Sequence, residues 1–237
     1  MNNPVKKFNL EVFIQGEYID LCVPNEEFAA NSTWYTWFNN QKTSRFLEQG
    51  IFPNTKKDQI DFYTSLKAQN RISLIISDRS QYIGTISLSS INLYKRTADV
   101  ALLIGEKSTC DNADLFALEA MSLLTAHGFG TIGLNRISAG QHVKLIRWQV
   151  KLELIGYRID GIKTLGFLKG AEEADSVTIS IVKDDYNKII HKRGKIWDNG
   201  LAMKHRIDQM TDEPFAKKLS NFMKTVGEEY YSTIYNL

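Results

Sequence analysis

The sequence predicts an α/β (α+β) fold, with a mixed, mostly antiparallel central sheet flanked by helices and a C-terminal helical extension. Two observations lead to this fold class. Three alternating apolar runs follow one another with only short polar turns between them, which indicates neighbouring antiparallel strands. A long helix pattern, apolar nearly all round, then separates these strands from the strand patterns that follow. A mixed sheet is therefore expected rather than a doubly wound parallel one.

The elements before the central strands are two short strands and two helices. Residues 9–23 alternate around a single glycine, which fits two strands joined by a tight turn. Asn31 and Ser32 are expected to cap a short aromatic helix, and Asn54 and Thr55 a second helix.

The central strands and the long helix form the middle of the chain. The strands are expected over residues 72–77, 82–91 and 98–105. A helix is expected over residues 114–129, and its end is predicted at Gly128 and Gly130 because glycine favours helix C-termini.

A short strand, a helix and two longer strands complete the predicted domain, over residues 136–139, 143–154, 158–165 and 176–183. The domain spans residues 1–186, and residues 187–237 form a mainly helical extension. Because this end is rich in aromatic side chains, it is expected to pack on the domain or on a second subunit, in which case the chain is a homodimer.

The composition places the chain among soluble globular proteins. Of its 237 residues, 43% are hydrophobic and 24% are charged, and no apolar run approaches the length needed to span a bilayer. The N-terminus has two lysines but no following apolar segment, which favours a cytoplasmic protein over a secreted one.

Charge and cysteine content exclude several kinds of partner. The net charge of +2 gives no basic face for nucleic acid. The two cysteines, Cys22 and Cys110, lack metal-ligand spacing, so neither a zinc site nor a disulfide framework is expected. A small molecule is the more natural partner, and no metal is predicted.

Four segments carry a family resemblance once these elements are placed. They are Trp37-Phe38-Asn39-Asn40 with Phe52-Pro53-Asn54-Thr55, the hairpin with Tyr82-Ile83-Gly84 and Ala98-Asp99-Val100, Leu134-Asn135-Arg136-Ile137, and Gly156-Tyr157. In this order and spacing, the chain from about residue 10 to 186 resembles the GNAT superfamily of N-acetyltransferases. Within that superfamily it looks most like the branch of ribosomal-protein and amino-sugar nucleotide acetyltransferases.

The resemblance implies acetyl-CoA as the co-substrate and locates its binding residues. Backbone groups of Leu102, Leu103 and Ile104 are expected to pair with the pantetheine arm. The pyrophosphate is expected at the start of the next helix, where unpaired amides and the helix dipole favour negative charge. The corresponding residues of this chain are Asn112, Ala113, Asp114, Leu115, Phe116 and Ala117.

This loop departs from the glycine-rich pattern of the family. Asn112 replaces the leading Arg or Gln, and Leu115 replaces the first glycine. Asp114 brings negative charge towards the phosphates, although an Asp at this place is most often a helix N-cap, and that is the role expected. Leu145 and Leu152 likewise stand where the family often has a cofactor-contacting Asn and a Tyr that protonates the thiolate.

Two residues are candidates for the catalytic base. Asp99 lies on a central strand, where it either faces the cleft or pairs at the surface with Arg96. His142 follows the short strand near the expected acyl end, and its pKa range suits base catalysis, although a polar loop histidine fits the same position. For the acceptor, the resemblance suggests Trp37, Asn39 and Asn40 as substrate-binding residues.

The sequence therefore predicts an N-acetyltransferase that moves an acetyl group from acetyl-CoA to a primary amine. The preferred acceptor is a nucleotide-linked amino sugar, and a protein N-terminus is second. The alternative from another class is a non-catalytic binding or assembly module with the same fold.

Overall fold

The computed structural model describes residues 8–105, 112–210 and 213–237, except for the side chain of Lys67. The chain divides into two compact units, Met1–Ile137 and Ser138–Leu237. Each unit combines antiparallel strands with helices, which confirms the predicted fold class.

The first unit is built on five strands that neighbour one another in chain order. They are β1 (Glu11–Gln15), β2 (Asp20–Val23), β3 (Ile72–Ser77), β4 (Tyr82–Asn92) and β5 (Thr97–Ile104). All four pairings are antiparallel. The predicted strands are confirmed with small shifts at their ends.

Four short α-helices, followed by a 3₁₀ turn over Leu66–Gln69, lie between β2 and β3. They are α1 (Glu26–Asn31), α2 (Trp34–Asn39), α3 (Gln41–Ser44) and α4 (Lys56–Ser65). The N-cap predicted at Asn31 and Ser32 is wrong, because Asn31 ends α1 and Thr33 is the cap of α2. The sequence interpretation missed α1 altogether. Its N-cap is Asn25, whose side chain accepts a 2.8 Å hydrogen bond from the Phe28 amide.

The start of α4 was predicted correctly. Thr55 and Asp58 form a capping box, in which the Asp58 amide donates to Thr55 Oγ1 and the Thr55 amide donates to Asp58 Oδ2. The Thr55 hydroxyl also donates to Asp58 at 2.6 Å. These hydrogen bonds lower the pKa of the Asp58 carboxyl.

The long helix α5 (Ala113–His127) packs on β4 and β5. Its N-cap is Asn112, so the cap predicted at Asp114 is wrong, and Asp114 lies instead in the first turn. The end predicted at Gly128 and Gly130 is also wrong, because a π turn continues the helix over Gly128–Ile132.

Gly128 is explained by packing rather than by helix termination. A Cβ at this position would lie 2.8 Å from Ile137 Cδ1 and 3.3 Å from Leu134 Cδ1. The helix ends only at Gly133, whose φ of 77° is left-handed.

The 20-residue segment Ala113–Ile132 is also long and apolar enough to cross a membrane, with a mean hydropathy of 1.3. However, 56% of its apolar window is buried within the protein. The contacts of α5 with β4 and β5 are those of a core helix.

A buried carboxylate joins α5 to the β1–β2 turn. Glu119 is fully buried and accepts hydrogen bonds from the amides of Glu17 and Tyr18. Burial raises the pKa of Glu119 above its usual range, and these amide hydrogen bonds oppose that rise.

The second unit contains β6 (Arg136–His142), which enters from the first unit, and the hairpin β7 (Arg158–Lys169) and β8 (Glu172–Val182). The strand order is β6-β8-β7. The helices are α6 (Ile146–Leu154), α7 (Lys183–Arg193), α8 (Gly200–Gln209), α9 (Phe215–Phe222) and α10 (Glu228–Tyr235). Although α9 contacts β7, large apolar side chains of the last two helices are exposed, including Phe222, Tyr231 and Tyr235.

Candidate functional site

A cavity of about 760 Å³ lies in the first unit. It is enclosed by one face of β3, β4 and β5 and by the segment from α2 to α4. Cavities of this size accept ligands of ordinary metabolite size.

The sheet side of the cavity is made of small residues in register. Ser73 of β3 is opposite Ser87 of β4, which is opposite Ala101 of β5. The next row brings Thr85 of β4 opposite Leu103 of β5. Because the row of two serines and one alanine carries short side chains, the helical segment can cover this face without filling the space above it.

The opposite side of the cavity is largely aromatic. Phe38 of α2 and Phe62 of α4 line it together with the chain between residues 47 and 54. Phe52 in that connection is 83% exposed. The wall therefore offers flat apolar surfaces to a ligand, with one aromatic ring reaching into solvent.

The same cavity contains charged groups of both signs. Glu48 and Asp58 are exposed carboxylates among its lining residues. Arg71, which directly precedes β3, is half-buried, and its guanidinium carbon lies 5.4 Å from the centroid of the Phe62 ring. A ligand in this cavity therefore encounters a cation held against an aromatic ring.

The predicted substrate residues lie beside this cavity and support its wall. Trp37 is 3% exposed and belongs to the core cluster with Phe28 and Trp34. The Asn39 amide nitrogen donates to the Asn54 carbonyl, and the Asn54 amide donates to Asn39 Oδ1, both at 2.7 Å. Asn39 thereby fixes a residue that does line the cavity.

Asn40 is a helix cap. It ends α2 and begins α3, where its side chain accepts hydrogen bonds from the amides of Lys42 and Thr43. The geometry gives Asn40 this structural task, and a contact between Asn40 and an acceptor stays a prediction.

The predicted pantetheine stretch borders the cavity. Leu102 and Leu103 are lining residues, and Ile104 is buried at the end of β5. Asp99 lies on the same face of β5 as Ala101 and Leu103, because residues two apart on a strand point to the same side. Its side chain is exposed, about 7 Å along the strand from Ala101.

His142 is enclosed within the second unit. Its side chain is 0% exposed, and its ring packs edge-on against Phe167 with centroids 4.6 Å apart. Nδ1 accepts a 3.0 Å hydrogen bond from the Lys144 amide, and Nε2 lies 3.4 Å from Glu172 Oε1. In the neutral ring this arrangement places the proton on Nε2.

The predicted pyrophosphate residues form the N-terminus of α5. The Phe116 amide donates to the Asn112 carbonyl at 3.0 Å and closes the first turn of the helix, whose N-terminal amides point towards the start of α5. Ala117 is buried one turn further on. These amides suit an anionic ligand. The rest of the predicted loop, with Cys110 and Asp111, lies outside the described residues.

The two leucines that differ from the family pattern lie at the start and near the end of α6. Leu145 is its half-buried N-cap, and Leu152 is 2% exposed. Both leucines contribute apolar surface there.

The sequence interpretation missed the residues that give the cavity its chemical character, above all Arg71 and Phe62. The available signal was the position of Arg71 directly before a strongly apolar strand. Arginine is seldom buried, so an Arg next to a buried strand can indicate a binding site. Their pairing was not readable from the sequence, since no short periodic spacing relates α4 to the start of β3.

Comparison with known proteins adds family information. A family model described as acetyltransferase (GNAT) domain matches residues 25–147, which is more than half of the chain. No curated protein sequence matches the chain.

Solved structures of similar fold share little sequence with the chain. A spermidine N-acetyltransferase from Vibrio cholerae, in complex with CoA and spermine, is 14% identical, with a TM-score of 0.64, and the match covers 72% of this chain and 98% of that one. Mycobacterium smegmatis RimJ, in complex with CoA-disulfide, is 13% identical, with a TM-score of 0.60 and coverage of 75% and 90%. The microcin C7 self-immunity acetyltransferase MccE, in complex with acetyl-CoA and AMP, is 18% identical, with a TM-score of 0.59 and coverage of 70% and 93%.

Proposed function

Because the chain belongs to the acetyltransferase (GNAT) family of acyl-CoA-dependent N-acetyltransferases, we propose that it acetylates a primary amine bound in the cavity of the first unit. The observation that carries this proposal is the position of β5. Ala101, Leu102 and Leu103 line the cavity, and Leu102 and Leu103 belong to the stretch expected to hold the pantetheine arm. An amine in the cavity therefore lies beside the place where the acyl group is expected.

The reaction is an acyl transfer between two bound substrates. The amine lone pair forms a C–N bond with the thioester carbonyl carbon, the C–S bond breaks, and the sulfur leaves as the CoA thiolate. The attacking nitrogen must lose a proton, which passes to a base and finally to the thiolate or to water.

We assign the base to Asp99 in preference to His142. Asp99 is exposed on the sheet face that the cavity shares, so the carboxylate can exchange protons with solvent. The Nδ1 lone pair of His142 is already engaged by the Lys144 amide, and its ring is closed off from solvent. We propose that His142 holds the start of the β6–α6 connection in place.

The first turn of α5 is proposed to hold the pyrophosphate of acetyl-CoA. The partial positive charge of its N-terminal amides suits the phosphates and acts together with the helix dipole. Asp114 in this turn weakens the site electrostatically, so we expect weaker cofactor binding than a glycine-rich loop without a carboxylate gives.

For the acceptor we propose a nucleotide-linked amino sugar, with a protein N-terminus as the second choice. The aromatic wall formed by Phe38, Phe52 and Phe62 offers stacking surfaces for a base or a sugar ring. One structural neighbour is a spermidine N-acetyltransferase solved with spermine, and another, MccE, was solved with AMP, so a polyamine belongs in the same screen.

The test is a binding and turnover experiment with the full chain. Calorimetric titration with acetyl-CoA is expected to show saturable binding, and release of free thiol is expected with an amine acceptor. The screen contains nucleotide-linked amino sugars, ribosomal-protein N-terminal peptides and spermidine. Turnover with peptides alone would overturn the preferred acceptor. Absence of acetyl-CoA binding at millimolar concentration would instead support the non-catalytic binding or assembly module.

We further propose that α9 and α10 form the interface of a homodimer. Tyr231, Ile234 and Tyr235 are exposed on one face of α10, since they are three and four residues apart, and Phe222 of α9 is exposed as well. An apolar surface of this kind is stabilised when a second copy covers it.

A further inference from the structure

We infer that the acceptor carries an oxyanion in addition to its amine, and that Arg71 and the indole N–H of Trp34 bind this group inside the cavity. The inference rests on the proposed function, since it concerns the acceptor of the same cavity. It narrows that acceptor to amines with a carboxylate or a phosphate, and it excludes purely cationic polyamines as good substrates.

Arg71 provides the first donor for such a group. Its Nε is buried and makes no hydrogen bond within residues 8–105, 112–210 and 213–237. The guanidinium lines the cavity and is held over the Phe62 ring. A guanidinium presents a planar fork of N–H groups that matches the oxygens of a carboxylate or phosphate.

Trp34 provides a second donor of the same kind. Its side chain is 1% exposed and lines the cavity, and its Nε1 has no hydrogen-bond partner in the part of the chain that the structure describes. Burying an indole N–H without an acceptor costs free energy, so such groups usually have a partner. An anionic ligand supplies acceptors for both donors.

The ring of Phe62 lies next to both donor-bearing side chains. The Trp34 ring is edge-on to Phe62 with centroids 5.9 Å apart, and the Arg71 guanidinium carbon is 5.4 Å from the same centroid. Both donor-bearing groups thus contact one ring in the cavity wall. A single oxyanion next to Phe62 is the simplest ligand group that serves both.

The remaining charges of the cavity suit a ligand that carries a positive charge as well as an oxyanion. Glu48 and Asp58 are lining carboxylates, and Asp58 is fixed by its capping box with Thr55. A ligand with both an ammonium group and an oxyanion is electrostatically complementary to a cavity that contains carboxylates and Arg71. A polyamine carries positive charges only. It therefore gives the Arg71 guanidinium no counter-ion, and the two repel each other.

The test uses matched amino sugars that differ in the anion. D-glucosamine, D-glucosamine 6-phosphate and 2-amino-2-deoxy-D-glucuronic acid are titrated into the full chain by calorimetry, and their acetylation is followed by free-thiol release. The phosphate or the carboxylate compound is expected to bind at least about tenfold more tightly than glucosamine, a gain typical of a charge-assisted pair. The comparison between the two anionic compounds identifies which oxyanion the cavity prefers.

Arg71→Met is expected to abolish this preference, so that all three compounds bind within about twofold of one another. Arg71→Lys keeps the charge without the fork and is expected to retain part of the preference. Trp34→Phe, which removes the indole donor together with part of the ring, is expected to reduce it. Arg45→Met is the matched control, because Arg45 is exposed and lies over Phe46 at 5.0 Å but is not among the cavity residues. Thermal melting of each variant verifies folding.

The outcomes separate this inference from the proposed function. Equal binding of the three compounds by the wild-type chain, or no binding of any of them at millimolar concentration, overturns the inference. The inference is also overturned if Arg71→Met weakens the binding of all three compounds by the same factor. That result would mean that Arg71 supports the cavity structure without recognising the anion. Anion-dependent binding without acetyl-CoA binding leaves the oxyanion site of Arg71 and Trp34 standing and removes the proposed function.

Discussion

Gly105 lies directly against the indole of Trp37. A Cβ at Gly105 would be 2.2 Å from Trp37 Cγ and 2.4 Å from Trp37 Cδ2, closer than any side chain tolerates. The Gly105 amide also donates to the Ile83 carbonyl at 2.8 Å, which holds this residue at the end of β5. The contact joins the end of β5 to helix α2, so one glycine determines how closely the helical segment approaches this strand.

Gly105→Ala is expected to destabilise the first unit by about 1–3 kcal/mol, because the added methyl group overpacks a closed contact. Thermal or urea unfolding measures the change. The control is Gly130→Ala, since a Cβ at Gly130 meets nothing within 4 Å and its φ is not left-handed. Equal stability of the two variants would contradict the contact between Gly105 and Trp37.

Asp99→Asn is expected to lower kcat by about 100-fold or more, because an amide cannot accept the proton that a catalytic carboxylate takes. Since the side chain is exposed, the melting temperature should stay within error of the wild type. Steady-state thiol release with the best acceptor provides the measurement, and Asp208→Asn on α8 is the exposed control. If His142→Gln lowers kcat while Asp99→Asn does not, the assignment of the base is reversed.

Glu119 is expected to make the free energy of unfolding depend on pH. Its pKa is raised by burial in the folded chain, so the folded state binds more protons than the unfolded state between the two pKa values. The free energy of unfolding should therefore fall as pH rises from the usual glutamate range through the raised pKa. Urea unfolding at a series of pH values measures this slope.

Glu119→Gln should flatten the slope, because glutamine does not titrate. Glu27→Gln, at an exposed position on α1, should leave it unchanged. A Glu119→Gln curve parallel to that of the wild type would show that Glu119 is not the responsible group.

The proposed homodimer predicts a concentration-dependent sedimentation coefficient. Replacing Tyr231 and Ile234 by serine is expected to shift the chain to the monomer, because both side chains lie on the exposed face of α10. Leu201→Ser on α8 is the control, since Leu201 is also exposed, at 78%, but lies outside the proposed interface. A wild-type monomer at high micromolar concentration in analytical ultracentrifugation would refute the interface.

The central strands β3, β4 and β5 were predictable because their apolar side chains are largely buried. Ile83, Ile86 and Leu88 on β4 are fully buried, and this regular burial appears in the sequence as an alternating or strongly apolar run. Helix α1 was not predicted, because it is only six residues long and has too few apolar positions to show a period. Its cap, Asn25, was the one local signal.

The errors at α5 have a different cause. Gly128 resembles a terminator in sequence, yet its lack of a Cβ serves the contact with Ile137, a residue that follows the helix. The cavity posed the same difficulty on a larger scale. Arg71, Phe62 and Ser87 come from three separate parts of the chain. Only the register of the strands and the packing of α4 bring them to one place.

The exposed connection between α3 and α4 allows substrate range to change without loss of the fold. Ile51 and Phe52 line the cavity but are 57% and 83% exposed, so they contribute little to the core. The hydrogen bonds between Asn39 and Asn54 fix the far end of this connection independently of both side chains. Selectivity can therefore be re-engineered, or can drift during evolution, at Ile51 and Phe52 with small thermodynamic cost.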